Sequence, residues 1–154
     1  GFTLVELMIV LAIIAIVATL AIVNLSGATK VSNETAAVKT LRAIGEAQAV
    51  HRRQNPTFVA LGAGFVDDAG VARVPALGAV ALPTDHGYTF DDIAAPDANT
   101  YSFEAYPTSP GDSGDKHFII NQNGSVYRTT GNYLLAPLAV WPAGDPPAGF
   151  EKAE

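Results

Sequence analysis

Residues 1–25 read GFTLVELMIVLAIIAIVATLAIVNL. From Leu7 to Val23 every residue is apolar except Thr19, a run close to the ~17-residue lower limit for a membrane-spanning helix. One charge stands at its edge, Glu6, between Val5 and Leu7. A carboxylate inside hydrocarbon costs at least ~2.5 kcal/mol, so an acid in this position asks for a partner and a function. The nearest cation is an amino terminus, either of this chain or of a neighbouring copy. A secretory signal peptide would begin basic, continue apolar and end in small residues at its cut. Here the small residue, Gly1, precedes the apolar run, so a cut beside it would leave the run in place.

Gly1-Phe2-Thr3-Leu4-Val5-Glu6-Leu7 followed by an Ile/Val/Leu/Ala helix resembles the processing and assembly segment of type IV pilins and their pseudopilin relatives. The resemblance implies that a dedicated peptidase cuts between Gly1 and Phe2 and methylates the new amino group. It also implies that Thr3, Glu6 and Leu7 belong to the assembly segment. Glu6 would then neutralise the amino-terminal charge of an adjacent subunit, since a buried carboxylate is tolerable when so paired.

Beyond Asn24 the pattern becomes amphipathic, with no proline before Pro56. Val31, Val38, Leu41 and Ile44 recur at helical spacing, and Ala36, Ala37, Ala43, Ala47 and Ala49 add helix propensity. Lys30, Asn33, Glu34, Lys39, Arg42, Glu46 and Gln48 are assigned to the other faces. Gly27 and Gly45 each cost ~1 kcal/mol, too little to break so long a helix. His51-Arg52-Arg53 brings cations to the end where the helix dipole favours them. One helix of roughly 75 Å is expected, more than twice a ~30 Å bilayer core, so its outer half must pack outside the membrane. This again resembles the pilin spine, with one departure. Many family members carry a proline where this chain has Val23, and a glycine within the apolar run. Lacking both, this helix is expected to run unbroken from Leu4 to about His51.

The expected organisation is α+β: a spine helix over 1–53, with 1–25 as its membrane or filament-core segment, a connector over 54–86, a sheet over 87–130, and a proline-rich segment over 131–154. The connector is broken by Gly62, Gly64, Gly70, Pro75, Gly78 and Pro83, with a small hairpin expected around Asp67–Gly70. After Gly87 the period changes to two. Tyr88 and Phe90, then Tyr101, Phe103 and Ala105, alternate with polar neighbours, and Asn123-Gly124 between apolar runs is a strong hairpin signal. Three to four antiparallel strands are expected, one face covering the helix. In the tail, Pro137, Pro142, Pro146 and Pro147 exclude a central strand, while Leu134, Leu135, Leu138, Val140 and Trp141 are apolar enough to pack on the domain or on a neighbour.

The chain's 154 residues suggest one domain. A net charge of −6 argues against nucleic acid as main partner. With no cysteine there are neither disulfides nor thiolate metal sites. His51, His86 and His117 lack zinc spacing, and no nucleophile elbow is present, so no enzymatic activity is expected. No metal site is expected either. The residues that would offer oxygen ligands to calcium are Asp85, Asp91, Asp92, Asp112 and Asp115, but they lack EF-hand spacing. Some major pseudopilins bind calcium in their C-terminal loops.

The function expected is the major structural subunit of an extracellular type IV pilus, serving motility, adhesion or DNA uptake; the alternatives are a major pseudopilin of a type II secretion system and, from another class, a monomeric membrane-anchored binding protein. The resemblance implies copies of the chain itself, the prepilin peptidase and the membrane assembly machinery as partners. It also implies a single helix holding the subunit in the cytoplasmic membrane before export to a surface filament.

Overall fold

The computed structural model describes residues 1–61, 74, 83–129, 131 and 146–153, without the side chains of 21–25. The hairpin expected around Asp67–Gly70 and the apolar tail from Leu134 to Trp141 lie outside the described residues.

Helix α1 spans Leu4–Gln54 without interruption. Thr3 caps its start, and His51, Arg52 and Arg53 occupy its last turn. It stops at Asn55, whose extended backbone (φ −128°, ψ 149°) is the conformation a residue preceding proline prefers. Pro56 then removes the next helical donor.

The rest of the described chain is an antiparallel meander. Strands β1 (Thr84–Asp85), β2 (Tyr88–Ala94), β3 (Ser102–Pro107), β4 (Phe118–Asn121), β5 (Val126–Thr129) and β6 (Phe150–Lys152) lie side by side in chain order. There are thus six strands, where three to four were expected. The two extra ones are the short outermost strands. His86 and Gly87 both have positive φ (47° and 73°), as a two-residue hairpin turn of type I′ requires, so the chain pairs back on itself at a point assigned to the end of the connector. β6 comes after the last proline and pairs only with β5, an edge position that the prolines upstream do not forbid.

The sheet packs one face on the outer half of α1. Tyr88, Phe90, Phe103, Ala105, Phe118, Ile120 and Val126 meet Ala37, Leu41 and Ile44 in one buried cluster. Two side chains of the helix differ from expectation. Val31, assigned to the buried stripe, is 64% exposed, because the sheet's apolar face begins further along. Gln48, assigned to a polar face, is fully buried, on the same line of spacing as Ala37, Leu41 and Ile44. Its amide is satisfied by the backbone of Val59: Oε1 accepts from the Val59 N–H (3.1 Å) and Nε2 donates to the Val59 carbonyl. Gly45 has its explanation here too. A Cβ at that position would stand 3.0 Å from Ile120 Cδ1 and 3.2 Å from Tyr101 Oη, so the missing side chain lets helix and sheet approach.

The opposite face of the sheet is also buried. Ser102, Glu104, Ile119, Asn121 and Thr129 are all inaccessible. Glu104 and His117 form a pair at 2.9 Å, with the Phe150 ring edge-on to His117.

Candidate assembly interface

The first turn of α1 makes its own polar closure. Thr3 Oγ1 accepts from the Glu6 N–H (3.2 Å), while Glu6 Oε2 accepts from the Thr3 N–H (2.7 Å) and from Thr3 Oγ1 (2.8 Å). This is a capping box, which satisfies two of the donors a helix start leaves open. In the single chain Glu6 is therefore bonded to Thr3. Its sequence spacing, Thr-x-x-Glu, is the signal that would have shown this.

Past that turn the helix offers only hydrocarbon. Phe2, Leu4, Val5, Leu7, Met8 and every large apolar residue onward to Leu20 are exposed, from 51% at Val10 to 96% at Phe2. The one polar side chain in the run, Thr19, turns its hydroxyl back to the Ile16 carbonyl (2.7 Å) and to that of Ala15 (3.3 Å). From Leu7 to Leu20 the helix thus presents no unmet polar side chain, as a hydrocarbon or protein-packed surrounding demands. Fully burying one such Leu, Ile or Val gains roughly 1.5–3 kcal/mol. Over this run the total is on the order of 20 kcal/mol, which exceeds the ~4–15 kcal/mol that association costs in lost freedom. Among the described residues no helix is both long and apolar enough to cross a membrane. The described side chains of the apolar run stop at Leu20.

The outer end of α1 is fixed to the domain by polar contacts. Arg52 donates to the Ala98 and Asn55 carbonyls and lies over the Phe58 ring. Leu61 N–H is shared by both oxygens of Asp92 at 3.2 Å each, which ties the start of the connector to β2. Burial pushes the Asp92 carboxyl up to about 6, with neighbouring Asp91 adding to the shift and the Leu61 N–H opposing it.

The structure brings Gly1, Phe2, Thr3, Glu6 and Leu7 together at one end of the helix, but it disperses the acidic residues considered for calcium. Asp85 accepts from Thr40 Oγ1 and contacts His86 Nδ1. Asp91 accepts from the Asp92 N–H. Asp115 pairs with Lys30 at 3.3 Å, and Asp112 stands exposed on the β3–β4 loop. Among the described residues no three His, Cys, Asp or Glu side chains come together to hold a metal ion.

Residues 1–22 match the family described as the prokaryotic N-terminal methylation motif. This segment is the prepilin-type signal of type IV pilins and pseudopilins, and the site at which the prepilin peptidase cuts. The match covers 22 of the 154 residues, and such a motif supports a protein of the pilin or pseudopilin kind. The fold, one long helix carrying an antiparallel sheet on its outer half, is pilin-like. No curated protein matches the chain.

Proposed function

We propose that this chain is the major structural subunit of an extracellular type IV pilus. Its inner helix halves would bundle into the filament core and its sheets would form the wall. The observation that carries this reading is the helix itself: apolar on every side from Leu7 to Leu20, yet absent from the buried core of the described residues, which on α1 begins at Ala37. Such a surface is far beyond the scattered exposed side chains of a monomer. Copies of the same chain satisfy it without any other partner. The cut between Gly1 and Phe2 would leave a new amino group beside each copy's Glu6. A copy shifted outward by about four residues, roughly 6 Å, brings that amino group level with Glu6 of its neighbour.

Motility, adhesion and DNA uptake all lie within this role, and no catalytic step is assigned. Its extended connector and apolar tail also favour a pilus over the short polymer of a pseudopilin. Shearing filaments from cells that produce the chain and identifying the subunit by mass spectrometry tests the assignment. Abundant surface filaments made of this chain are expected. A polymer confined to the periplasm would instead assign it to a secretion system, and a ligand-bound monomer would overturn the reading.

A further inference from the structure

Charge is unevenly placed along the chain. Of nine Lys and Arg residues, five (Lys30, Lys39, Arg42, Arg52 and Arg53) lie on the outer half of α1, whereas twelve of the fifteen Asp and Glu lie beyond Gln54. Where α1 passes the β4–β5 turn, helix and sheet leave a groove of about 580 Å³ whose wall includes Arg42, Arg53, Phe58, Tyr101 and Gln122. Arg42 and Arg53 are exposed and enter no ion pair among the described residues. Glu46 is the one acid on the wall. Gln122 contributes a buried Oε1 with no hydrogen-bond partner among the described residues. The groove therefore offers two exposed cations, unpaired among the described residues, beside an apolar floor.

The chain carries a matching group, but at a different height. The loop Ser109–Asp115 between β3 and β4 stands on α1 at Lys30, Asn33 and Glu34. Asp115 pairs with Lys30, the Ser113 carbonyl accepts from Asn33 Nδ2 (2.9 Å), and Glu34 Oε1 accepts from the Asp115 N–H (3.0 Å). These contacts, together with Ser113 Oγ bonded to Ser109, hold the loop in a set shape. Its tip exposes Gly111 and Asp112, and Asp112 enters no ion pair among the described residues. Counting along the helix from Asn33 to Ala47, the loop sits roughly 20 Å inward of the groove. Within one chain the two cannot meet.

We propose that the groove receives the Ser109–Asp115 loop of a second copy displaced by roughly 20 Å along the helix axis, with Asp112 placed between Arg42 and Arg53. The contact rests on the filament reading and adds to it a second, polar interface outside the apolar core. Its energetic role is orientation: opposite charges set register and reject wrong alignments, adding a second charged contact to the Glu6–amino pair of the core.

Full-length Arg42→Cys/Asp112→Cys chains in an assembling host test the geometry, since the chain has no cysteine of its own. An Arg–Asp pair spans more than disulfide reach between backbones, so sheared filaments are treated with a short bismaleimide. A ladder of covalent multimers is expected from the double variant and single chains from either variant alone. Filaments yielding only single chains from the double variant would overturn the contact. Charge reversal gives an independent reading. Arg42→Glu/Arg53→Glu should lower filament yield about tenfold or more, and Asp112→Arg on that background should restore it. Unchanged yield, or loss that Asp112→Arg does not repair, contradicts the contact while leaving the filament reading intact. Absence of any polymer from the unaltered chain removes both.

Discussion

Ile13 and Ile44 are the same residue on the same helix, yet Ile13 is 56% exposed and Ile44 is fully buried. Around Ile44 the sheet supplies Phe, Tyr and Ile side chains, and Gln48 closes the far end by bonding Val59. Around Ile13 the described residues supply no such cover. One backbone element thus performs two separate tasks. Its outer half belongs to a folded domain and is satisfied within the subunit, whereas its inner half stays exposed beside the described residues. On the proposed function, the exposed half is what makes the subunit incomplete, and that incompleteness would drive both membrane retention and polymerisation.

The largest expected effect separates the halves outright. Removing the residues before Gly27 takes away the whole exposed apolar run but no member of the buried core, whose first residue is Ala37. The remaining chain should be a soluble monomer with an intact sheet by circular dichroism and sedimentation. If it polymerised, the inner half would not be the assembly element.

A smaller, sharper cut falls on Glu6. Losing the capping box costs about 1 kcal/mol, trivial for a helix this long. Losing one member of a buried charge pair costs about 2–5 kcal/mol, or more than tenfold in association. Glu6→Ala should therefore leave a stable membrane-held subunit and sharply reduce filament yield. Glu6→Gln keeps an oxygen for the Thr3 N–H and removes the charge, so it should assemble as poorly as Glu6→Ala. Normal filaments from Glu6→Gln would show that capping, and not charge, is the requirement.

These two halves were not equally legible in the sequence. The apolar run, the capping-box spacing and the period-two segments around Tyr88 and Phe103 carry their meaning locally, so the helix and the central strands could be read directly. Gln48 could not, because its burial depends on Val59 arriving from the connector to satisfy both ends of its amide. Val31 misled for the converse reason: helical spacing says which residues share a face but not how far along the helix the sheet reaches. His117 and Glu104 looked unrelated until β3 and β4 were placed in register, and His86-Gly87 lacks the Asn-Gly signature of the turn it forms. Of the candidate interface, the Glu6 end was visible as a motif. The groove at Arg42 and Arg53 was not, since its walls come from four separate stretches of chain.

The smallest effect concerns the outer half alone. Asp92 has its carboxyl pushed up to about 6 by burial, above the ordinary value of 3.8 that it regains on unfolding. The folded state thus binds the proton more tightly, so the cost of a buried charge is present above about pH 6 and is relieved as pH falls towards 4. The melting temperature of the domain lacking its inner helix should rise slightly from pH 7 to pH 5. Asp92→Asn should flatten that rise while keeping an acceptor for the Leu61 N–H. A pH profile identical to that of the unaltered domain would mean that Asp92 stays charged in the fold.

On the proposed function, the inner half of α1 is completed by other copies of itself. A cryo-electron microscopy map of the assembled polymer tests this most directly. The side chains from Leu7 to Leu20 are expected to lie packed among neighbouring helices at the filament axis, with the sheets outermost. A polymer held together through its sheets, with those side chains facing solvent, would contradict it.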